Sequence, residues 1–392
     1  MRVLTFTTLY PNAAQPAHGV FVEQRLLNLC RAGGVESRVI APVPWFPVTH
    51  RSFGRYARFA RVPRAETRSG IQVVHPRFLV VPGIGMYFTP LTLAWAAGRA
   101  IRRLLESGFD FDLIDAHYYY PDGVAAALLA GWFRKPLVIT ARGTDINLIP
   151  AYGLARRWML WASRRAAQSI SVCEALRREM IAIGMDARRV RTLRNGVDLQ
   201  RFMPLERVAA RARLGWGAER ILLSVGLLTE RKGHDIVIRA LPQLAGFRAV
   251  IVGGGELRGM LERLAAELGV RDRVHFAGEV EHAQLKDYYS AADALVLCSS
   301  REGWANVLLE AMACGTPVIA AAVWGVPEVV AAAEAGVLMD ERTPAGLQRA
   351  VTQLFSRIPD RAATRRYAER FSWDDTTAGQ LEIFNRVRAG VS

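Results

Sequence analysis

The chain has 392 residues, 51% of them hydrophobic, and a formal net charge of +15 from 51 Lys and Arg against 36 Asp and Glu. That length exceeds one compact core, so two domains are expected. No run of roughly 18 uninterrupted apolar residues offers a membrane-spanning helix, Met1–Phe6 begins as a strand without a signal-peptide pattern, and Cys30, Cys173, Cys298 and Cys314 lack metal-ligand spacing, which points to reduced core thiols in a cytosolic protein.

The charge is uneven. Residues 1–200 carry 27 Lys and Arg against 13 Asp and Glu, whereas residues 201–392 carry 24 against 23. Arg-rich composition accounts for part of the total but not for that difference, so an anionic partner is expected at the first half: a phospholipid surface, a lipid-linked phosphate or nucleic acid.

In chain order, Val3–Thr8 is a strand, and the loop after it reaches Gly19 at the start of a helix over Phe21–Ala32. A glycine there admits close backbone approach to a ligand, or simply makes a turn. Glu36–Ala41 is a second strand. Residues 42–47, with three prolines, are expected to be an exposed aromatic loop without regular structure. Arginines at 51, 55, 58, 61, 64 and 68, with Phe53, Tyr56 and Phe59 between them, make a basic stripe beside an aromatic one if the segment is helical up to Val62, a pattern suited either to an anionic membrane or to ordinary packing. A second basic–aromatic helix, Leu154–Ala166, reads more readily as core aromatics beneath a charged face. Ile71–Val74, Leu113–Ala116, Leu137–Thr140, Ser169–Val172 and Val190–Leu193 continue the strands. Helices over Leu91–Leu105 and Asp122–Phe133 lie among them, as in an open parallel sheet. Ligands bind beyond the carboxyl ends of such strands. Two polar clusters fall there. One begins at His117, as readily a satisfied structural residue as a functional one. The other holds Arg142 and Asp145, the latter a ligand for acceptor hydroxyls, a base, or a cap for the turn at Asn147.

A turn at Arg194–Asp198 opens a mixed, polar stretch to about Trp216, the expected linker. The pattern then restarts: strand Arg220–Val225, loop to Gly233, helix His234–Leu244, strand Arg248–Val252, the Gly253–Gly255 triplet, helix Leu257–Leu268, strand Val274–Ala277, a loop through Val280, and helix His282–Ala291. Strand Ala294–Cys298 leads into a polar loop and a helix near Asn306, a residue able to cap it. Gly315 and Pro317 end that helix, strands Val318–Ala320 and Gly336–Met339 follow, and helices Pro344–Phe355, Asp360–Arg370 and a last one beyond Trp373 close the chain.

Glu302 and Glu310 bracket this last loop and its first helical turn, where free N–H groups favour an anion or polar oxygens. Arg231 and Lys232 stand at the neighbouring loop, two adjacent cations matched to a diphosphate. The glycine triplet lacks the full dinucleotide fingerprint and reads as backbone clearance for a nucleotide. No Walker motif, zinc spacing or nucleophile elbow is present; no metal is expected, and a departing diphosphate must then be stabilised by protein cations and helix N-termini. A nucleotide sugar is the ligand class that fits.

The run Glu302-Gly-Trp-Ala-Asn-Val-Leu-Leu-Glu310, followed by Ala-Met-Ala-Cys-Gly-Thr-Pro-Val, resembles the two-glutamate motif of the retaining family 4 glycosyltransferases. Supporting matches are His18-Gly-Val, Thr140-Ala-Arg-Gly-Thr-Asp145, Asn195-Gly-Val-Asp198, Gly226 through Gly233, and Pro327-Glu-Val329. His18 to Gln24 and Asp115 to Gly123 look most like the bacterial teichuronic acid and exopolysaccharide branch. The resemblance implies an α/β GT-B fold, two Rossmann-like domains facing across a cleft: an acceptor-binding domain over 1–196, a nucleotide-sugar-binding domain over 197–370, and a terminal helix over 371–392 crossing back to the first. It implies that Glu310 binds the donor ribose and Glu302 faces the transferred sugar. Asn306 and Val307 offer N–H groups to sugar or phosphate, and Arg231 and Lys232 hold the diphosphate. Gly19 approaches it, Gly254 and Val280 border the donor, and His117 contacts the sugar or reacting centre. Arg142 and Asp145 are acceptor-side candidates. Trp304 and Trp324 depart from the family, which often has Phe or Gly there.

The expected function is then retaining transfer of a sugar to a lipid-linked acceptor in bacterial cell-surface polysaccharide synthesis. The expected setting is cytoplasmic, against the inner face of an anionic membrane reached through the basic first domain, with no cofactor and no nucleic acid. Two other classes compete: a GT-B nucleotide-sugar epimerase, which would need further acid/base groups in the first half and no acceptor, and a non-catalytic binder of anionic glycolipid, which would tolerate loss of both Glu302 and Glu310.

Overall fold

The apolar runs of four to six residues that end in Gly-rich or polar loops form parallel strands buried on both faces, as their unbroken hydrophobicity requires. The computed structural model describes residues 1–80 and 85–390. They divide into two compact units, Met1–Arg194 with Asp374–Ser392, and Asn195–Trp373.

In the first unit the strands are β1 (Arg2–Phe6), β2 (Glu36–Ile40), β3 (Val43–Pro44), β4 (Ala65–Arg68), β5 (Ile71–Val74), β6 (Arg77–Phe78), β7 (Leu113–His117), β8 (Leu137–Ala141), β9 (Gln168–Ser171) and β10 (Val190–Thr192). Eight make one sheet in the order β10-β9-β8-β7-β1-β2-β5-β4. All its pairings are parallel except β4 with β5, which is antiparallel. The order reverses at β1, which lies between β2 and β7, so the crevice at their carboxyl ends is the switch point where such sheets take ligands. Val3, Leu26, Leu29, Val39, Val73, Leu113 and Val138 fill the core, joined by Ile383, Phe384 and Val387 of the final helix Trp373–Arg388.

The second unit has β11 (Arg220–Val225), β12 (Phe247–Val252), β13 (Val274–Gly278), β14 (Ala294–Leu297), β15 (Val318–Ala321) and β16 (Gly336–Met339). They run in the order β13-β12-β11-β14-β15-β16, all parallel. This is the doubly wound arrangement with its switch point between β11 and β14. Leu222, Ile236, Ala249, Ile251, Val296, Ile319, Leu347 and Leu354 are among its core residues. Both units are therefore Rossmann-like.

Several local expectations are corrected. Residues 42–47 are not wholly irregular: β3 pairs with β6, because Val43 and Trp45, not the prolines, supply the N–H groups, to Pro76 O at 2.9 Å and Phe78 O at 2.7 Å. The Arg51–Arg68 segment, by contrast, is helical up to Val62 as its stripe required: a 3-10 turn over Arg51–Phe53 runs into helix Gly54–Arg61, which ends because Pro63 drives Val62 to an extended ψ of 130°. Arg68 belongs to β4 and pairs with Glu23 at 3.0 Å, and the side chains of Arg51 and Arg55 lie outside the described residues. The helix expected from His282 begins at Leu285. The linker stretch holds a helix, Arg207–Leu214, capped by the Glu206 side chain. Trp158 and Trp161 pack edge to face, 5.5 Å apart and half-buried, in line with ordinary core aromatics. The four cysteines are free thiols. Among the described residues no helix is long and apolar enough to cross a membrane.

Candidate active site

In the second unit the loop after β11 carries Arg231 and Lys232, and the loop after β14 carries Glu302. Adjacent strands put these loops side by side, and Ser300 N–H donates to Arg231 O at 2.8 Å. Gly233 makes the contact possible. Its φ is +67°, and a Cβ there would lie 2.2 Å from Cys298 O, so only glycine lets the two loops nest. Lys232 Nζ then meets Glu302 Oε1 at 2.7 Å, and Arg231 Nη1 donates to the same oxygen at 3.2 Å and to Arg301 O at 2.8 Å. Burial pushes the Glu302 carboxyl upward, but Lys232 and Arg231 outweigh it and hold the group below its usual range. Glu302 is thus an ionised, almost buried carboxylate facing two cations, a knot with one net positive charge. Beside it a cavity of about 440 Å³ is lined by Glu230, Arg231, Asp235, Ser300, Arg301 and Arg342.

Glu310 lies in the helix Asn306–Ala313, with both oxygens engaged: Oε1 by His282 Nε2 at 2.9 Å, Oε2 by the Tyr289 hydroxyl at 2.9 Å. Burial alone would lower the His282 pKa, yet its hydrogen bond and charge contact with Glu310 carry it above the usual value. A carboxylate has about four lone-pair sites, so two remain for vicinal hydroxyls. Asn306 does not cap this helix. Ala305 holds the cap position, and Asn306 Oδ1 accepts from Asn195 Nδ2 at 3.4 Å instead. Val307 is half-buried in the first turn. Gly254 O accepts from Leu228 N–H at 2.9 Å, which seats the glycine triplet against the 226–232 loop, and Val280 lies in the loop after β13 on the same sheet edge. Trp304 is committed to structure, its indole N–H donating to Asn195 O at 3.0 Å. Trp324 has φ +48°, the left-handed region that favours glycine.

In the first unit Gly19 precedes the helix Val20–Arg31 with φ +71°, and a Cβ there would lie 2.4 Å from Leu9 C and O. His117 ends β7. Its Nδ1 is 2.6 Å from Arg142 Nη2 and its Nε2 is 3.2 Å from Asp115 Oδ2. A guanidinium only donates, so Nδ1 accepts and Nε2–H donates to Asp115. Burial, first, and the Arg142 and Arg25 charges bring the His117 pKa down to about 4 against the pull of Asp115. The ring is neutral near pH 7 with both nitrogens occupied. Asp145 is likewise spent on backbone: it accepts from Tyr119 N and Gly143 N at 2.7 Å and Arg142 N at 3.0 Å, fully buried. Arg142 is buried between His117 and the Phe21 ring, 5.4 Å from its guanidinium carbon.

The sequence reading missed the partners of these groups. His282 and Tyr289 fix Glu310. Gln380, on the final helix, donates to Asp115 Oδ2 at 3.0 Å and accepts from Arg25 Nε at 2.8 Å. Asp122, pushed up to about 7 by burial, accepts from Thr8 N at 2.6 Å and ties the loop after β1 to the segment after β7. None lies near its partner in sequence, so no local pattern marks it. Among the described residues no cluster of three or more His, Cys, Asp or Glu could hold a metal ion.

Residues 207–371 match the family model described as Glycosyl transferases group 1, and residues 26–201 that of Glycosyltransferase Family 4. D-inositol 3-phosphate glycosyltransferase of Mycobacterium tuberculosis is 32% identical over 411 residues, covering 95% of this chain and 81% of that protein. The fold is similar to sucrose-phosphate synthase of Thermosynechococcus elongatus, with TM-score 0.80, 21% identity and 99% of each chain covered. It is also similar to Anabaena HepE in complex with UDP and glucose, with TM-score 0.75, 19% identity, and 98% and 99% of the chains covered.

Proposed function

The chain belongs to the family 4 glycosyltransferases, of GT-B fold, and from that premise we propose that it moves a sugar from a nucleotide-sugar donor to a lipid-linked glycan acceptor, retaining anomeric configuration, in bacterial cell-surface polysaccharide synthesis on the cytoplasmic side of a membrane. One observation carries the donor side of this reading: Arg231 and Lys232 converge on an ionised Glu302 at a Rossmann switch point, one loop from Glu310. In the proposed cycle Glu310 receives the ribose hydroxyls on its two remaining lone-pair sites. The diphosphate draws Arg231 and Lys232 toward itself, and Glu302 stands by the anomeric carbon as positive charge develops there. The bond from C1 to the phosphate oxygen breaks, the acceptor oxygen bonds to C1 on the same face, and its proton passes to the departing diphosphate. His117, held neutral, lines the acceptor side without carrying a proton. The relative named for inositol 3-phosphate favours a second acceptor, a phosphorylated cyclitol.

The test is transfer from UDP-, GDP- and ADP-sugars to lipid-linked glycans and to inositol phosphate, with product stereochemistry read by NMR. Glu310→Ala is expected to raise donor KM and Glu302→Ala to lower kcat. Parent protein that turns over no donor, while acceptor-lipid binding survives both substitutions, would favour a non-catalytic binder. Sugar isomerisation without any acceptor would favour an epimerase.

A further inference from the structure

The outer face of one helix in the first unit has no use in the reaction described above. Helix Gly85–Glu106 buries Leu93, Ala94, Ala97 and Ile101 against the domain. Phe88, Leu91 and Trp95, spaced three and four residues apart and so on one face, are instead 50%, 41% and 58% exposed. The same face continues through Arg99 and Arg102, both exposed, toward the helix end. Thr92 Oγ1 donates to Leu79 O at 2.8 Å, which brings exposed Leu79 beside this face. Exposed Trp132 lies against Gly98. A row of large apolar groups this long is uncommon on a surface that meets only water.

The charge around the row identifies its partner. Residues 45–106 contain ten arginines and two carboxylates: Glu66 is already paired with His75 at 2.8 Å and Arg68 at 4.0 Å, and Glu106 is the last residue of the helix, beyond the arginines. The Arg99 guanidinium lies 3.7 Å over the Trp95 ring, an apolar body with a cation at its tip, the combination suited to the depth of lipid headgroups. A second copy of the chain would bring the same sign of charge to the same surface and be repelled. An anionic bilayer supplies what both parts lack: acyl boundary for the aromatic half of the helix, and phosphate for the arginine half.

We propose that the exposed face Phe88–Leu91–Trp95 of this helix inserts into the headgroup boundary of an anionic phospholipid bilayer, with Arg99, Arg102 and Arg103 on the lipid phosphates. This places the docking surface on a continuous amphipathic helix rather than on the segment 51–68, whose pattern suits a membrane or ordinary packing equally. It deepens the lipid-linked acceptor reading by naming how the enzyme reaches such an acceptor, but the binding itself needs neither donor nor acceptor.

The experiment is co-sedimentation of the full chain with phosphatidylglycerol–phosphatidylcholine vesicles and with pure phosphatidylcholine vesicles, from 50 to 500 mM salt. The variants are Phe88→Ser/Leu91→Ser/Trp95→Ser and Arg99→Gln/Arg102→Gln/Arg103→Gln. These side chains are exposed, and circular dichroism checks the fold of each variant. The parent is expected to bind the anionic vesicles, more weakly as salt rises. The apolar variant loses roughly tenfold or more at every salt concentration, whereas the arginine variant loses most at low salt and flattens the salt dependence. Equal binding by parent and apolar variant, or no binding by the parent, overturns the proposal. So does a parent dimer in lipid-free solution that the apolar variant abolishes, which would make the face an interface between copies. Transfer to a water-soluble acceptor, run on the same variants, separates the two readings. Vesicle binding without transfer removes the transferase reading alone, and transfer without vesicle binding removes the docking surface alone.

Discussion

His282 offers a sharp test of how the second unit holds Glu310. Its Nε2 is 2.9 Å from Glu310 Oε1, with 28% of the histidine side chain and 11% of the glutamate side chain exposed. Arg201, with Nη1 3.3 Å from Nδ1, opposes protonation, and Asp198 supports it; the net effect with Glu310 is a raised pKa. The sign follows. A histidine raised above its unfolded value of 6.5 contributes stability that is fully present below that value and is lost as pH rises through the folded one. His282→Gln keeps a neutral donor near the same place. A hydrogen bond to a charged group contributes about 1.5–3 kcal/mol whether its donor is charged or neutral, so what the variant loses is the attraction between the histidine's charge and the carboxylate. With the opposing Arg201 and partial exposure, the difference is about 1 kcal/mol. Urea unfolding of donor-free protein should therefore show the variant about 1 kcal/mol less stable at pH 6, which corresponds to about 2–4 °C in melting temperature for a domain of 150–250 residues. The gap should close by pH 9. A gap that stays constant from pH 6 to 9 refutes a charged His282–Glu310 pair.

Three further outcomes follow from the same geometry. Lys232→Met leaves the almost buried Glu302 with one cation fewer and should cost about 1–3 kcal/mol near neutrality. That deficit fades as pH falls, because a depressed carboxylate's contribution is full above its unfolded value and is lost as pH falls through the folded one, and urea midpoints at pH 3.5 and pH 7 check it. Gly233→Ala forces a methyl group onto Cys298 O and should destabilise by about 2–4 kcal/mol, while Gly246→Ala, with open space around its Cβ position, should cost less on the same assay. Gln380→Leu removes both the donor to Asp115 and the acceptor for Arg25. With two buried charges left short of a partner, a loss of about 2–4 kcal/mol is expected in chemical unfolding.

Much of the fold was legible because parallel strands buried on both faces leave unbroken apolar runs. Arg220–Val225 is such a run and matches its expected limits; Ile71–Val74 and Gly336–Met339 match theirs as well, although Gln72 is exposed and Gly336–Leu338 are half-buried. What escaped was held by contacts rather than pattern. The two-residue strands β3 and β6 are too short to leave a periodicity, and helix Arg207–Leu214 depends on packing that a polar sequence does not announce. At the site, Glu302, Glu310, Arg231 and Lys232 stood out because their chemistry is concentrated in two short loops. Their restraints did not: Tyr289 lies 21 residues from Glu310, and Gln380 lies 265 from Asp115. His117 was visible as a histidine at a strand end, but its tautomer is set by Asp115 and Arg142, and only the folded arrangement shows that neither nitrogen is left over.

The final helix has a consequence for the order in which this chain can fold. The second unit is one continuous stretch, Asn195–Trp373, whereas the first is interrupted and regains its last piece only from Asp374 onward. During synthesis the second unit is complete while the first still lacks the seat-filling side chains of Ile383, Phe384 and Val387. Until they emerge, Val3, Leu26, Leu29 and Val39 pack an unfinished core, and Arg25 and Asp115 lack the Gln380 amide that bridges them. The part of the chain made first is thus the last to close, and a ribosome-stalled or C-terminally clipped product would keep one finished domain beside one that is open to chaperones and proteases.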